Sequence, residues 1–275
     1  MKKLHYILQG SNGKPMPADL HLPEEPKGVV VFFHGYKGFK DWGCWNLVAQ
    51  GFAEQGWAFF KANFSHNGTT PEAQEAFADL DAFAANTYSK EVNDGVSILD
   101  FVVEHKADWR CEGLPLTLIG HSRGGGIAAL VAARHSAVNA VVAWAAVSDF
   151  GARFPVGKTL EEWKSTGVYH VHNARTGQDL PHSIEFYNDF IANEEALTIR
   201  GAVHCISAPM LIVHASDDEA VHVSEAFKLG RWAQKGELRV FDSGGHTFGA
   251  THPWESGQLP AALEAVCTAT VNFIA

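Results

Sequence analysis

The sequence predicts an α/β fold in which a mostly parallel central sheet of about eight strands is flanked by helices. Short apolar, β-branched runs alternate with longer segments of helical periodicity along most of the 275 residues. Several runs are apolar at every position, which is typical of parallel strands buried on both faces. With 46% hydrophobic and 19% charged residues, the chain can bury one large core. We therefore expect residues 1–275 to form a single domain.

Eight strands and four main helices are predicted in chain order. The strands are expected near residues 5–8, 18–22, 27–33, 57–64, 114–119, 139–147, 209–214 and 237–241. The first two precede any helix, so they should form an antiparallel edge. The helices are expected between Asp41 as N-cap and Gly56 as terminator, and over residues 89–105, 127–135 and 259–274.

The segment after the sixth strand breaks this alternation. Residues 149–201 contain no convincing strand pattern, so we interpret them as a small helical cap inserted into the main domain. Thr159 and Glu162 have the spacing of a capping box, in which each side chain bonds the other residue's backbone N–H. A second helix is predicted over residues 183–193. The aromatic residues of the insertion either line a pocket or pack the cap onto the domain: Trp163, Tyr169, Phe186, Tyr187 and Phe190.

Composition and charge narrow the class of partner. The formal charge of −10 argues against nucleic acid or anionic lipid as the main partner, because phosphate binding depends on Lys and Arg. No run approaches the 18 apolar residues of a membrane span, and the basic N-terminus lacks the apolar stretch of a secretory signal. The four cysteines form no close pair, which suits a reduced compartment. These features predict a cytoplasmic protein that acts on a small molecule and needs no cofactor.

A G-x-S-x-G sequence marks the candidate nucleophile. Gly120-His121-Ser122-Arg123-Gly124 follows an apolar strand directly and precedes a helix. This strand–turn–helix context separates a nucleophile turn from a chance match, since the sharp turn exposes the serine hydroxyl at the carboxyl end of the sheet. The N-terminal N–H groups of the following helix point at developing negative charge. A rival nucleophile, Cys44, has no dedicated base nearby in the sequence.

A base and an orienting carboxylate follow in the order that such a turn requires, each after a strand. His246 lies in a glycine-rich loop after the last strand and is the predicted base. Asp217 and Asp218 follow the preceding strand, and only one of them can reach the histidine. We favour Asp218 and keep Asp217 and Asp149 as alternatives. The neighbour of the acid would cap a helix or face water.

An oxyanion hole needs two backbone N–H groups. One should come from Arg123, directly after the nucleophile, and the other from the loop after the third strand, where Tyr36 is the best-placed donor. His34 and His121 are expected to bond loop backbone rather than to take part in chemistry. Metal binding is not favoured, because Tyr169 to His172, His182 and His204 lack an acid or cysteine at a recognisable ligand spacing.

These motifs resemble the α/β-hydrolase superfamily over nearly the whole chain. Within it, residues 34–43 (HGYKGFKDWG) look like bacterial hydrolases grouped with dienelactone hydrolases and cinnamoyl or feruloyl esterases. Residues 214–221 are similar to the family's H-G-x-x-D-x-x-V motif, with Ala215 in place of glycine, and this alignment also puts the acid at Asp218. Dienelactone hydrolases use a cysteine nucleophile, which this chain replaces with Ser122.

The resemblance implies a serine esterase that cleaves a small or medium acyl or aryl ester through an acyl-enzyme. Thioesterase, peptidase and acyltransferase activities use the same residues and stay open. A rival hypothesis is a ligand-binding protein that retains the fold with little turnover.

Overall fold

A computed structural model describes all 275 residues, and most of its strands belong to one sheet. The strands are β1 Lys2–Gln9, β2 Pro15–Leu22, β3 Gly28–Phe33, β4 Trp57–Ala62, β5 Leu116–His121, β6 Ala140–Trp144, β7 Val168–Asn173, β8 Gln178–Ser183, β9 Met210–Ala215 and β10 Gly236–Phe241. Eight of them pair in the order β1-β2-β4-β3-β5-β6-β9-β10. Only β1 with β2 and β2 with β4 are antiparallel. The predicted mostly parallel eight-stranded sheet, with its antiparallel edge, is confirmed.

Helices cover both faces of this sheet. They are α1 Trp45–Glu54, α2 Leu80–Ala84, α3 Tyr88–His105, α4 Arg123–Ala132, α5 Lys158–Thr166, α6 Glu185–Ala192, α7 Ile199–Cys205, α8 Ser224–Trp232 and α9 Ala261–Ile274. None of them is both long and apolar enough to span a lipid bilayer.

The strand β3 shows why its sequence is apolar throughout. Val29 and Val31 belong to a cluster of 43 buried residues that includes the inner faces of α3, α4, α7 and α8. Val30 and Phe32 point the other way, into a cluster of 21 buried residues with α1 and α9. Successive side chains on a strand alternate between faces, so a strand between two helical layers must be apolar at each position.

Two predicted helix caps are wrong. Helix α1 begins after Cys44, and Asp41 instead forms ion pairs in the interior. Helix α5 begins after Gly157, a left-handed residue with φ of 59°, and no side chain caps it. Thr159 therefore lies inside the helix, where its hydroxyl cannot form the predicted capping box with Glu162.

The insertion at residues 149–201 contains strands that the sequence analysis did not predict. After the sixth strand, α5 leads into an antiparallel hairpin of β7 and β8, which is followed by α6 and α7. The hairpin forms its own two-stranded sheet. Its strands contain histidine, asparagine, glutamine and proline, so they lack the apolar signal of the main strands. Helix α6 lies within the predicted range of 183–193.

A buried ionic cluster fixes the loop between β3 and α1. Asp19 on β2 accepts from Lys40 Nζ at 2.7 Å and from Lys61 Nζ at 3.2 Å, and both lysines also bond Asp41. All four side chains are at least nine-tenths buried. Burial by itself would raise the pKa of Asp19, but the charges of Lys61 and Lys40 hold that pKa well below its usual range. The four charges compensate one another, and so they tie the loop to the sheet.

Removing one member of this cluster should destabilise the protein strongly. We expect Lys61→Met to lower the free energy of unfolding by about 3 kcal/mol, because it leaves buried carboxylates without full compensation. Urea titration followed by tryptophan fluorescence measures the loss. The control is Lys158→Met, which breaks only an exposed pair with Glu162 and should change stability by less than about 0.5 kcal/mol. Equal effects of the two substitutions would show that the buried charges do not hold the loop.

Candidate active site

Ser122 occupies a strained turn between β5 and α4. Its φ and ψ are 57° and −121°, a conformation that residues with side chains rarely adopt. Hydrogen bonds fix it from both sides, since its N–H donates to the Trp144 carbonyl at 2.9 Å and its own carbonyl accepts from Gly125 at 3.0 Å. The turn presents the serine hydroxyl at the carboxyl end of the parallel strands, as the G-x-S-x-G context predicts.

The glycines around Ser122 are required by close backbone contacts. A Cβ on Gly120 would lie 2.1 Å from the Gly124 carbonyl oxygen, and a Cβ on Gly124 would lie 2.4 Å from the Phe33 carbonyl oxygen. At Gly125 a Cβ would meet the Ala146 side chain at 2.3 Å. Helix α4 therefore begins in direct contact with the ends of β3 and β5, which no larger residue permits.

His246 and Asp218 complete a hydrogen-bonded chain with Ser122. His246 Nε2 lies 2.9 Å from Ser122 Oγ, and His246 Nδ1 lies 2.8 Å from Asp218 Oδ2. The carboxylate is fully buried, whereas the imidazole is about one-quarter exposed. The structure thus brings together the three residues that the sequence analysis favoured. Such a chain can deprotonate the serine hydroxyl and stabilise the imidazolium that forms.

Asp218 is held as a carboxylate by several donors. Its Oδ1 accepts from the N–H groups of Ala220 and Val221, both at 2.9 Å, while His214 Nε2 lies 3.2 Å from Oδ2. Burial by itself would raise the pKa of Asp218, but the bonds from His214, His246 and the Val221 N–H hold it well below its usual range. Since the acid stays charged at neutral pH, it can fix the imidazole tautomer.

The two alternative acids lie elsewhere. Asp217 accepts hydrogen bonds from the N–H groups of Gly244 at 3.2 Å and Gly245 at 2.8 Å, so it shapes the loop that carries His246. It caps no helix, but it is exposed to solvent, which agrees with the expectation that the neighbour of the acid faces water. Asp149 accepts from the Ala152 N–H in a short turn after β6 and makes no contact with His246.

Two further histidines support the loops around Ser122. His121 Nε2 lies 2.9 Å from the His246 carbonyl oxygen, and His34 Nδ1 lies 2.9 Å from the Gly35 carbonyl oxygen. Burial lowers the pKa of His121 to about 3 and that of His34 to about 4, so both are neutral. Each can then donate to the loop carbonyl beside it, which agrees with the backbone role expected from the sequence.

Two backbone N–H groups are available beside the serine hydroxyl. The loop after β3 approaches so closely that a Cβ on Gly35 would lie 3.0 Å from Ser122 Cβ. The Gly38 N–H donates to the Gly35 carbonyl and so closes the turn. The Tyr36 N–H within this turn donates to no group in the protein. Arg123 is the first residue of α4, so its N–H has no carbonyl to bond within the helix.

An aromatic cavity of about 390 Å³ opens onto Ser122 and His246. Trp163, Tyr169 and Phe186 of the insertion line it, and Trp163 and Phe186 also belong to the large core cluster together with Phe190. Both expectations for the aromatic residues of the insertion are thus met, and Trp163 and Phe186 meet both.

The guanidinium of Arg123 forms part of the cavity wall. It lies 4.2 Å from the Tyr36 ring centroid, and its Nη1 lies 3.2 Å from a buried oxygen of Glu91. Glu91 compensates this charge, so the cavity gains a polar wall without a free cation. Glu91 was not predicted from the sequence, because an acid within α3 gives no sign that it faces the start of α4.

The other reactive candidates take no part in this arrangement. Cys44 is fully buried, and burial raises the pKa of its thiol to about 11. His182 Nε2 lies 2.7 Å from the Tyr36 hydroxyl oxygen, and His172 contacts Asp179 on the hairpin. No three His, Cys, Asp or Glu side chains are grouped closely enough to hold a metal ion.

Solved structures share this fold at low sequence identity. Est1E from Butyrivibrio proteoclasticus superposes with a TM-score of 0.68 at 18% identity, over 98% of this chain and 97% of its own. A putative hydrolase from Agrobacterium vitis S4 gives 0.73 at 17% identity, over 100% and 99%. A dienelactone hydrolase from Anabaena variabilis gives 0.65 at 18% identity, over 99% and 97%. No curated protein matches the sequence itself.

Fold and site together define a hydrolase of the α/β-hydrolase class, with a serine at the sharp turn between β5 and α4. Residues 24–196 match the model of the hydrolase family described as serine aminopeptidase, S33. Because this match covers more than half of the chain, the protein belongs to that family. The matched range contains Ser122, whereas Asp218 and His246 lie beyond it.

The tight crossing of α4 over the strand ends should make Gly124 irreplaceable. We expect Gly124→Ala to destabilise the protein by several kcal/mol, because the added Cβ would overlap the carbonyl oxygens of Phe33 and His34. Thermal unfolding measures the change. The control is Gly51→Ala in α1, where a Cβ meets no atom within 4 Å, and it should stabilise the helix by about 0.5–1 kcal/mol. A stable Gly124→Ala protein would contradict the required contact.

Proposed function

We propose that the protein hydrolyses a carboxylic ester of small or medium acyl or aryl groups through a serine acyl-enzyme. The observation that carries this proposal is the hydrogen-bonded chain from Ser122 through His246 to Asp218 at the base of the aromatic cavity. The chain order of the three residues, serine then aspartate then histidine, and their position at the strand ends are those of a triad on this fold. No cofactor or metal is needed for this chemistry.

The proposed reaction begins when His246 takes the proton of Ser122 as its oxygen attacks the ester carbon. Asp218 holds the imidazole tautomer and stabilises the cation. The backbone N–H groups of Tyr36 and Arg123 form the oxyanion hole and donate hydrogen bonds to the oxyanion, and the N-terminus of α4 favours its negative charge. His246 then protonates the leaving alcohol, and a water molecule activated by the same imidazole releases the acid.

The cavity supports a compact, apolar or aromatic substrate group. Its volume of about 390 Å³ and its lining by Trp163, Tyr169 and Phe186 suit a single ring or a short chain. We assign residues 149–201 the role of a cap, since this insertion supplies those three rings. A similar structure, Est1E, has been solved with ferulic acid bound, a small aromatic acid.

The name of the family suggests an aminopeptidase as a second candidate. An aminopeptidase must bind the free ammonium group of its substrate, which calls for a carboxylate near the nucleophile. No aspartate or glutamate lines the cavity, so nothing there compensates an ammonium group. Arg123 and Arg153 are paired with Glu91 and Glu225, whereas Lys37 has no such partner. The cavity therefore favours an ester substrate over a peptide with a free N-terminus.

Replacing the nucleophile should abolish hydrolysis. We expect Ser122→Ala to reduce kcat for short p-nitrophenyl esters by a factor on the order of 10⁶, because the acyl-enzyme cannot form. The release of p-nitrophenolate measures the rate, and amino-acid p-nitroanilides test the aminopeptidase alternative in parallel. Wild-type protein that binds these esters without turnover would instead support a ligand-binding role on the same fold.

Paired substitutions of the adjacent acids should separate their roles. We expect Asp218→Asn to lower kcat by about 10⁴-fold, because the amide no longer holds the required imidazole tautomer. Asp217→Asn should cost less than about tenfold, since its amide oxygen can still accept from Gly244 or Gly245. Steady-state kinetics on one ester compares the two. A larger loss for Asp217→Asn than for Asp218→Asn would show that Asp217, and not Asp218, is the acid.

A further inference from the structure

A second cleft meets the aromatic cavity at the serine. It has a volume of about 260 Å³ and shares Tyr36, Lys37, Ser122 and His246 with the first cavity. From this junction it extends to the turn of the β7–β8 hairpin, where Arg175 lies. A substrate whose carbonyl sits at Ser122 would therefore place one group in each cavity.

Hydrogen-bond donors without partners line this cleft. The Asn173 side chain is 95% buried, and its Nδ2 bonds no group in the protein. Nη2 of Arg175 is also buried and unpaired, although the guanidinium lies over the rings of Phe39 and Phe77 at 5.6 and 5.7 Å. Buried donors are rarely left without an acceptor in a folded protein, and they point to a ligand that supplies one.

The cations of the cleft lack compensating charge. No aspartate or glutamate lines it. Burial lowers the pKa of Lys37, and the charge of Arg175 lowers it further. Burial also lowers the pKa of Arg175. Arg123 differs, because Glu91 neutralises it at 3.2 Å. Two half-buried cations without a carboxylate between them oppose folding by their mutual repulsion, so the fold alone does not explain their position.

We propose that this cleft binds a carboxylate of the substrate, so that the preferred ester carries an aromatic or apolar group on one side of the scissile bond and a carboxylate on the other. Three side chains of the cleft can donate hydrogen bonds, namely those of Lys37, Arg175 and Asn173. A single carboxylate can accept from all three. The idea rests on the proposed esterase function for the scissile bond, whereas carboxylate binding itself does not depend on turnover.

Binding to Ser122→Ala protein tests the idea, because this variant cannot consume an ester. The probes are two pairs of matched shape: benzyl hydrogen succinate with benzyl levulinate, and phenylacetoxyacetic acid with acetonyl phenylacetate. Each pair exchanges a carboxylate for a methyl ketone, on the acyl side in the first and on the alkoxy side in the second. We expect the acid of at least one pair to bind tenfold or more tightly than its ketone in calorimetry. Equal binding within both pairs would overturn the proposal.

Substitutions in the same background identify the residues responsible. Lys37→Met and Arg175→Gln should each weaken binding of the preferred acid by about 10- to 100-fold and leave the ketone within twofold. The control is Lys158→Met, which removes a lysine from the insertion that also carries Arg175. The Lys158 side chain is 90% exposed, so its loss should change the affinity for neither the acid nor the ketone. A preference for the acid that survives both cleft substitutions would overturn the assignment. Circular dichroism verifies folding. Where a variant is unstable, the ratio of acid to ketone affinity still tests the site, because unfolding weakens the binding of both probes.

The outcome is separable from that of the proposed function. If the wild-type protein hydrolyses no ester but the Ser122→Ala protein still prefers the acids, the esterase proposal fails and the carboxylate site stands. If esters are hydrolysed but the acids are not preferred in binding, the esterase proposal stands and the carboxylate site fails.

Discussion

The close contact between the start of α4 and the ends of β3 and β5 is the constraint on which the rest of the site depends. Gly124 touches the carbonyl oxygens of Phe33 and His34, and Gly120 touches that of Gly124. Only glycine allows backbone to approach backbone this closely. The contact forces Ser122 into its strained conformation, and it also carries the loop of Tyr36 to the serine. One packing requirement therefore positions both the hydroxyl and the N–H groups beside it.

Buried polar groups hold the loops that this contact brings together. Asp19 and Asp41, with Lys40 and Lys61, anchor the loop after β3 to the antiparallel edge of the sheet. On the other side, Asp218 is fixed by two backbone N–H groups and His214. Loops at the carboxyl ends of strands would otherwise be the most mobile parts of such a fold. Here each is tied to the sheet by groups that lose much free energy if they separate.

The insertion gives the site its chemical character. Trp163 and Phe186 on its helices and Tyr169 on its hairpin supply the aromatic wall of one cavity, and the hairpin also supplies Asn173 and Arg175 in the other. The two cavities share the serine but differ in their lining residues, so that under the proposals above the insertion would distinguish the two ends of a bound molecule. Under the proposed function, the loops at the sheet ends provide the reacting groups and the inserted segment selects the molecules that reach them.

The sequence by itself determined the sheet, the nucleophile turn and the order of the acid and base, because these depend on local patterns. Continuous apolar runs predict buried parallel strands, and G-x-S-x-G between a strand and a helix predicts a sharp turn. Even the preference for Asp218 over Asp217 followed from a short motif. The structure places the favoured residue against His246 and turns its neighbour to the glycines of the histidine loop.

Only the tertiary structure decided which distant side chains meet. The β7–β8 hairpin was missed because its strands mix polar with apolar residues and β7 is exposed at alternate positions, so no apolar run marks them. Asp41 was assigned to a helix cap from its local sequence, yet its carboxylate forms ion pairs with the adjacent Lys40 and with Lys61 on β4. Lys37 and Arg175 lie 138 residues apart and converge beside Ser122. Contacts of this kind depend on the path of the whole chain, which no local pattern of residues records.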